Sequence, residues 1–350
     1  MAENKVELIV PESLTGNRAD HVISILLNDY SRSRIKQWIE NGFVLFGNKK
    51  ITPKQKLISG DRIIVYIQAD DKELQYKPEN IDIEVIYYDE DIAVINKRAG
   101  LVVHPADGNW SGTLLNGILN RFPNNKLLPR AGIVHRLDKE TSGLLVIALN
   151  EVSQLNLIRQ LKAKTMYREY RAIIWGNINA KGFVDEPVGR HPKNRIKMSV
   201  NKINGKKAVT NYEPIENFEY HTYLKCILET GRTHQIRVHM QYIKRPLVGD
   251  PVYGYKKILP FKGISKKFID IVTNFPRQAL HAKKLELIHP KTNKKMSWEV
   301  KLPDDFSDLL NVLRETPAES MDYEQLNTSY NVYKKSLDKN SLEDFEEDDF

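Results

Sequence analysis

Hydrophobic positions change spacing several times along the chain, and the changes outline its elements. Between Arg18 and Leu27, Val22, Ile23, Leu26 and Leu27 fall on one helical face. Asn28-Asp29-Tyr30 interrupts the pattern, and Ser31 reads as the N-cap of a second helix, Arg32 to Asn41, with Ile35, Trp38 and Ile39 inward. Arg32, Arg34 and Lys36 are left for solvent or phosphate. Phe43 to Phe46 reads as a strand, Gly47-Asn48 as a turn and Lys49 to Ile51 as its partner, with a last strand from Arg62 to Ile67. The stretch from Asp70 to Asn80 is charged, poor in apolar residues and contains Pro78, which marks a linker.

Beyond it, Ile81 to Tyr88 alternates, and Ile92 to Lys97 and Leu144 to Ala148 are short apolar runs that read as buried strands. Helical spacing returns over Thr113 to Leu119 and over Glu151 to Ala163, where Leu155, Ile158 and Leu161 share a side. Lys164 to Gly176 reads as a β segment, and Thr233 as the cap of a helix with Ile236, Met240 and Ile243 on one face. From about Pro317 the periodicity fades into the acidic run Glu343 to Phe350, read as a disordered, solubilising tail. The expected organisation is therefore a small domain over 14–75, a larger one over 82–304 and a tail over 317–350.

Composition narrows the function classes. With 41% hydrophobic and 28% charged residues the chain reads as a soluble globular protein. No apolar run approaches the roughly 20 residues that span a bilayer, and the N-terminus lacks a signal-peptide pattern, so no membrane role and a cytoplasmic location are expected. A single cysteine, Cys226, precludes an internal disulfide and argues against a cysteine-rich zinc site. A zinc-dependent base deaminase, which needs His and Cys ligands, is disfavoured for the same reason. The net charge of +8 and pI near 9.2 suit a polyanionic partner.

One stretch concentrates the candidate chemistry. Asp138 stands between Arg136 and Lys139, just before the Leu144 to Ala148 strand. Neighbouring cations favour a carboxylate's charged form and lower its pKa by about 1–3 units. Asp138 is thus expected to be an anion suited to nucleophilic attack or charge stabilisation. By itself, a salt bridge in a strand-entry loop would explain the same residues.

His135 to Gly143 resembles the HRLDxxTSG signature of the RluA family of pseudouridine synthases, in which the Asp is catalytic. Other stretches carry the same resemblance in order. Asn96 to Pro105 matches a family segment, with Arg98 in place of the usual Pro. Arg168, Tyr170 and Ala172 match a second motif, which implies that Tyr170 is the active-site tyrosine. Glu229 to Met240 matches a third, which implies that Arg237 pairs with Asp138. A guanidinium fork on Asp138 would orient the carboxylate and keep it ionised. His234 and His239, at i and i+5, are poorly placed for shared metal ligation, and structural roles are expected for them. His104, beside Pro105, is expected to bond to backbone. Pro246 to Gly254 and Arg277 to Ala282 also match, and read as turn and sheet-packing elements.

Two regions are expected to touch RNA phosphates. Residues 31–61 resemble the S4-type RNA-binding module, with Arg32, Arg34 and Lys36 at the start of a helix. In the larger domain, Arg190, His191, Lys193, Arg195 and Lys197 crowd one loop without matching acids, and such cations repel unless an anion lies across them.

The resemblance implies an α+β fold: an S4-type domain followed by a catalytic domain with a mixed, mainly antiparallel central sheet flanked by helices. It implies isomerisation of uridine to pseudouridine in 23S rRNA of the large ribosomal subunit, with no cofactor and no metal, by a chain expected to be monomeric. The implied roles are Asp138 to start glycosidic cleavage, Tyr170 to stack on the base and help move a proton, Arg237 to anchor Asp138, and Arg136 to hold RNA at the opened site. The alternatives are the same chemistry on tRNA or another rRNA position, and a non-catalytic RNA-binding protein of ribosome assembly.

Overall fold

The computed structural model describes residues 5–27, 30, 32–47, 49–67, 76–105, 110–194, 197–255, 271–272 and 274–315. The chain divides into two units, Met1–Tyr76 and Lys77–Phe350. Ser31, most of the expected linker and the acidic 317–350 tail lie outside the described residues.

In the first unit, β1 (Lys5–Ile9) precedes α1 (Ala19–Leu26) and α2 (Arg32–Glu40), which lead into β2 (Val44–Phe46), β3 (Lys49–Lys50) and β4 (Arg62–Tyr66). The strands form one antiparallel sheet in the order β1-β4-β2-β3. The alternation in Lys5–Ile9 is short and bordered by charge, and its strand character comes from pairing with β4. The unit therefore begins earlier than residue 14. Val22, Ile23, Ile35, Trp38 and Ile39 from the helices meet Val44, Ile63 and Val65 from the sheet in one core.

The second unit is built on a nine-stranded sheet, formed by β5 (Glu84–Tyr88), β6 (Ile92–Lys97), β7 (Ser142–Ala148), β8 (Tyr167–Trp175), β9 (Gly182–Asp185), β12 (Val209–Asn217), β13 (His221–Leu228), β14 (Leu280–Ile288) and β15 (Lys295–Glu299). The order is β5-β6-β7-β14-β8-β13-β12-β9, with β15 on β14. Only the β7–β14 pairing is parallel among the described pairs, so the sheet is mixed and mainly antiparallel, as expected. β10 (Val188–Arg190) and β11 (Met198–Val200) form a separate hairpin. α3 (Leu114–Arg121), α4 (Glu151–Ala163), α5 (Gln235–Tyr242) and α6 (Asp304–Glu315) complete the unit.

Every residue of β7 is buried: strands flank it on both sides, and Leu144, Val146 and Ala148 pack with Leu157 of α4. Gly143 has φ 110°, and a Cβ there would stand 2.2 Å from the Ala282 carbonyl oxygen. Only glycine lets β14 approach β7 this closely. The expected boundaries of this unit move outward. Gly112 N–H donates to the Glu79 carboxylate and Asn116 donates to the Lys77 carbonyl, which ties residues 77–81 to α3. At the other end α6 buries Phe306, Leu309, Leu310 and Leu313 against Ile173, Trp175 and Tyr223. Each such side chain stabilises the fold by about 1.5–3 kcal/mol, so residues 304–315 belong to this unit.

In α4 the buried face is centred on Ser153, Leu157 and Gln160 rather than on Leu155, Ile158 and Leu161. Ile158 and Leu161 instead line a cleft. The helix starts where expected, because Asn150 Oδ1 accepts from Ser153 N–H at 2.9 Å.

Candidate active site

The loop that precedes β7 carries Asp138 into a cleft of about 780 Å³. The cleft is walled by that loop, by β8 and by the segment leading into α5. Two anchors fix the loop. Val146 N–H donates to His135 Nε2 at 3.1 Å, and Thr141 N–H donates to the Asp138 carbonyl at 3.1 Å. Burial pushes His135 down to about 3, so it is a neutral acceptor. Behind the loop, Lys97 is 1% exposed, and its Nζ donates to the carbonyls of Arg98, Leu101 and Lys139, each at 2.9 Å. In the sequence Lys97 stands only at a strand end. A cation closing an apolar run is a weak signal for a buried brace.

Arg237 meets Asp138 as expected, but the expected fork is turned elsewhere. Nη1 donates to Asp138 Oδ2 at 3.1 Å, whereas Nε and Nη2 grip Asp250 at 2.7 and 2.9 Å. Asp250 is fully buried, and its Oδ1 also accepts from Val252 and Tyr253 N–H at 2.9 and 3.0 Å. Burial lowers the Arg237 pKa, but Asp250 and Asp138 outweigh it and hold the guanidinium charged. Arg136 and Lys139, the sequence neighbours, are exposed, and the cation that hydrogen-bonds to Asp138 comes from α5, 99 residues away in sequence. In the sequence Asp250 belongs to the Pro246 to Gly254 turn. Its only sequence signal is one acid within an otherwise apolar Gly/Pro turn.

α5 is capped by His234 in a left-handed conformation, φ 56°, and not by Thr233. Gln235 explains the tightness of this turn: its Oε1 accepts from Thr230 Oγ1 and Arg232 N–H, and its Nε2 donates to Val209 and Thr210. His234 Nδ1 lies 2.8 Å from the Tyr253 hydroxyl, and its Nε2 lies 3.9 Å from Asp138 Oδ1. Burial lowers its pKa against the pull of Asp138. His239 bonds Thr210 and the Glu186 carbonyl, a structural role. His104 Nδ1 lies 2.9 Å from the Pro105 carbonyl oxygen.

β8 divides its side chains by alternation. Arg168 and Tyr170 line the cleft. Tyr167, Glu169 and Arg171 bond to one another on the other side. Tyr170 is 5% exposed, and burial raises its pKa, with Asp138 reinforcing and Arg168 opposing. Its hydroxyl keeps its proton at neutral pH. Asp138, Tyr170, Arg237 and Arg136 thus line one cleft.

The residues expected to touch RNA are arranged differently. Arg190, His191, Lys193 and Lys197 lie on the β10–β11 hairpin, and Arg195 lies outside the described residues. His191 Nδ1 accepts from Lys193 and Asn194 N–H at 3.3 and 3.1 Å, so one ring nitrogen shapes the loop. The hairpin is tied to the site through Met198 N–H, which donates to the Tyr253 hydroxyl. In the first unit, Arg32 is not simply left for solvent. It clasps the buried Asp20 at 3.0 and 3.1 Å, opposite Arg18. Burial raises the Asp20 pKa, but the two guanidinium groups outweigh it. Arg34 lies 5.4 Å from the Tyr30 and Trp38 ring centres, and Lys36 pairs with Glu40 at 3.6 Å.

Among the described residues, Asp89, Asp91 and His289 place ligand-type atoms within 4.8 Å of one another. They lie outside the cleft. Asp89 already accepts from Tyr87, the Asp91 and Ile92 N–H groups and His289, and Asp91 from Asn150 and Ser153. These bonds account for the cluster as a fold anchor.

The mixed sheet and the segments around it bring Asp138, Tyr170 and Arg237 to one cleft, with Arg237 on the Asp138 carboxylate. The family model described as RNA pseudouridylate synthase matches residues 91–242. The chain belongs to this family and is an isomerase of RNA uridine. It is 47% identical over 312 residues to ribosomal large subunit pseudouridine synthase D of Neisseria meningitidis serogroup A, covering 89% of this chain and 83% of that protein. It is 46% identical to the proteins of that name from Nitrosomonas europaea, over 91% of each chain, and from Escherichia coli, over 87% of this chain and 93% of that one. The solved structure of human RNA pseudouridylate synthase domain containing 4 shares the fold, with a TM-score of 0.51 at 24% identity, over 67% of this chain and 94% of that one. No helix among the described residues is long and apolar enough to cross a membrane.

Proposed function

We propose that the chain converts specific uridines of the large ribosomal subunit's 23S rRNA to pseudouridine, with Asp138 as the catalytic carboxylate. The observation that carries the assignment of Asp138 is its hydrogen bond from Arg237 at 3.1 Å, inside a cleft that also holds Tyr170. The relatives' names carry the choice of RNA.

The uridine is flipped from its stack into the cleft, at a cost of a few kcal/mol that backbone contacts offset. Asp138 starts cleavage of the C1′–N1 bond by attack on the sugar, by addition to C6 of the base, or by removal of a sugar proton. The base turns, C5 bonds to C1′, and the C5 proton is lost while N1 regains one. Tyr170 stacks on the base, and its protonated hydroxyl takes part in that proton transfer. Arg237, clamped by Asp250, orients Asp138. Arg136, exposed at the mouth, holds the displaced RNA. No cofactor or metal enters these steps.

The first unit, with two helices and a four-stranded sheet, serves as an S4-type RNA-binding domain, and the β10–β11 hairpin adds phosphate contacts in the second. The protein acts as a cytoplasmic monomer on the large subunit or its precursor.

The test is pseudouridine formation on 23S rRNA lacking these modifications, mapped by carbodiimide treatment and primer extension, for wild type and Asp138→Asn. Defined stops with wild type and none with the variant, at equal RNA binding, are expected. Inert wild type on 23S rRNA but activity on tRNA would move the substrate.

A further inference from the structure

Arg168 is 6% exposed and lines the cleft. Its hydrogen bonding is thin. Nη2 reaches the Leu228 carbonyl at 3.4 Å, and the buried Nε has no partner among the described residues. No carboxylate among the described residues lies within ion-pair distance of it, although Arg171 on the same strand is paired with Glu169 and Arg237 with two aspartates. Space is kept for its head: a Cβ on Gly231 would stand 2.7 Å from Nη1. A buried cation without an anion costs stability, since lost hydration is not repaid. Such uncompensated groups mark functional sites. Burial also lowers its pKa, with only Tyr170 opposing.

We propose that Arg168 is a further catalytic residue, whose guanidinium binds the oxygens of the flipped uracil and stabilises the negative charge that the base acquires when Asp138 acts. The inference rests on the pseudouridine synthase reading above. Charge balance requires the anion. When the C1′–N1 bond breaks, its electron pair stays on the base and spreads from N1 to O2 and O4. If Asp138 instead adds to C6, the electron pair of the C5=C6 bond moves toward O4. On each route a carbonyl oxygen of the base gains charge in the transition state, which is where a preorganised donor accelerates a reaction. A backbone phosphate is a poorer match. The phosphates stay with the RNA strand, within reach of the exposed Arg136, whereas Arg168 is as buried as Tyr170, on which the flipped base would stack.

The test is single-turnover pseudouridine formation at saturating enzyme, with RNA affinity and thermal midpoint measured on the same full-length proteins, for wild type, Arg168→Met, Arg168→Lys and Arg136→Gln. Arg168→Met should lose about 10²–10³-fold in rate, with RNA affinity within threefold and the midpoint unchanged or higher. Arg168→Lys, which keeps the charge, should recover part of the rate. Arg136→Gln should weaken binding more than the saturated rate. A rate for Arg168→Met within threefold of wild type would sink the assignment. So would a loss of affinity equal to the loss of rate, which would mark a phosphate contact. A lower midpoint or failure to fold for Arg168→Met would mark a structural arginine and also overturn it. Inert wild type would sink the underlying reaction, whereas active wild type beside equally active variants would sink only the role of Arg168.

Discussion

Arg237 binds Asp250 through two N–H groups, at 2.7 and 2.9 Å, and reaches Asp138 with a third at 3.1 Å. The buried aspartate fixes the guanidinium, and the guanidinium then fixes the cleft aspartate. Asp250 is a positioning residue acting through Arg237, and its own carboxylate is tied to the backbone of its turn.

Asp250→Asn should therefore damage both folding and catalysis. Breaking one side of a buried ion pair typically costs about 3–5 kcal/mol. Urea unfolding should show a loss near that size, and single-turnover rates should fall about 10–100-fold, the cost of a slightly misplaced catalytic group. Arg237→Lys cannot span both acids and should resemble it. Full activity with lowered stability would show that Asp250 supports only the fold.

Tyr170 combines a ring with a hydroxyl that burial keeps protonated. Tyr170→Phe retains the ring, so RNA affinity should stay near wild type while the rate falls about 10²-fold, the scale of general acid–base help. Tyr170→Ala should also lose stacking, worth about 1–3 kcal/mol of binding. Equal rates for Phe and wild type would leave Tyr170 only the stacking role.

Lys97 sets a pH dependence of stability. Burial pushes its pKa down from 10.5 to about 7, against the pull of Glu140 and Asp138. Between those values the unfolded chain holds a proton that the folded chain does not, so stability rises with pH, by up to about 1.4 kcal/mol per pH unit. Below pH 7 both states are protonated and the trend stops. Urea midpoints from pH 6 to 10 should climb more steeply for wild type than for Lys97→Met. Parallel curves would exclude Lys97 as the source.

RNA affinity should fall steeply with salt, because neutralised phosphates release counterions with a slope near −0.7 to −0.9 per contact. Replacing Arg190, Lys193 and Lys197 together should lower that slope by about 2–3. Arg32 is different: its pairing with the buried Asp20 makes loss of first-unit stability the expected result of Arg32→Ala. A slope unchanged by the triple substitution would remove the hairpin from the RNA interface.

Much of the architecture was legible along the chain because its signals are local. The apolar spacing around Val22 and Ile35, the helix from Glu151 and the run Leu144 to Ala148 each depend on residues within a turn or two. β1 was not legible, since five alternating residues become a strand only by pairing with β4. α6 does carry a local signal, Phe306, Leu309, Leu310 and Leu313 at helical spacing, and only its docking against Ile173, Trp175 and Tyr223 needed the tertiary structure.

The same division holds at the site. The residues from His135 to Gly143, Arg168 to Ala172 and Glu229 to Met240 carried the family resemblance, and with it Asp138, Tyr170 and Arg237. Tertiary structure alone decided which charges meet. Arg136 and Lys139 flank Asp138 in sequence, yet backbone geometry directs them outward, and Arg237 takes the place beside it. Asp250 took the guanidinium fork, Lys97 braced the loop from behind, and Arg168 was left buried without an anion among the described residues. Electrostatic partnership depends on distance and burial in three dimensions, and sequence adjacency sets neither.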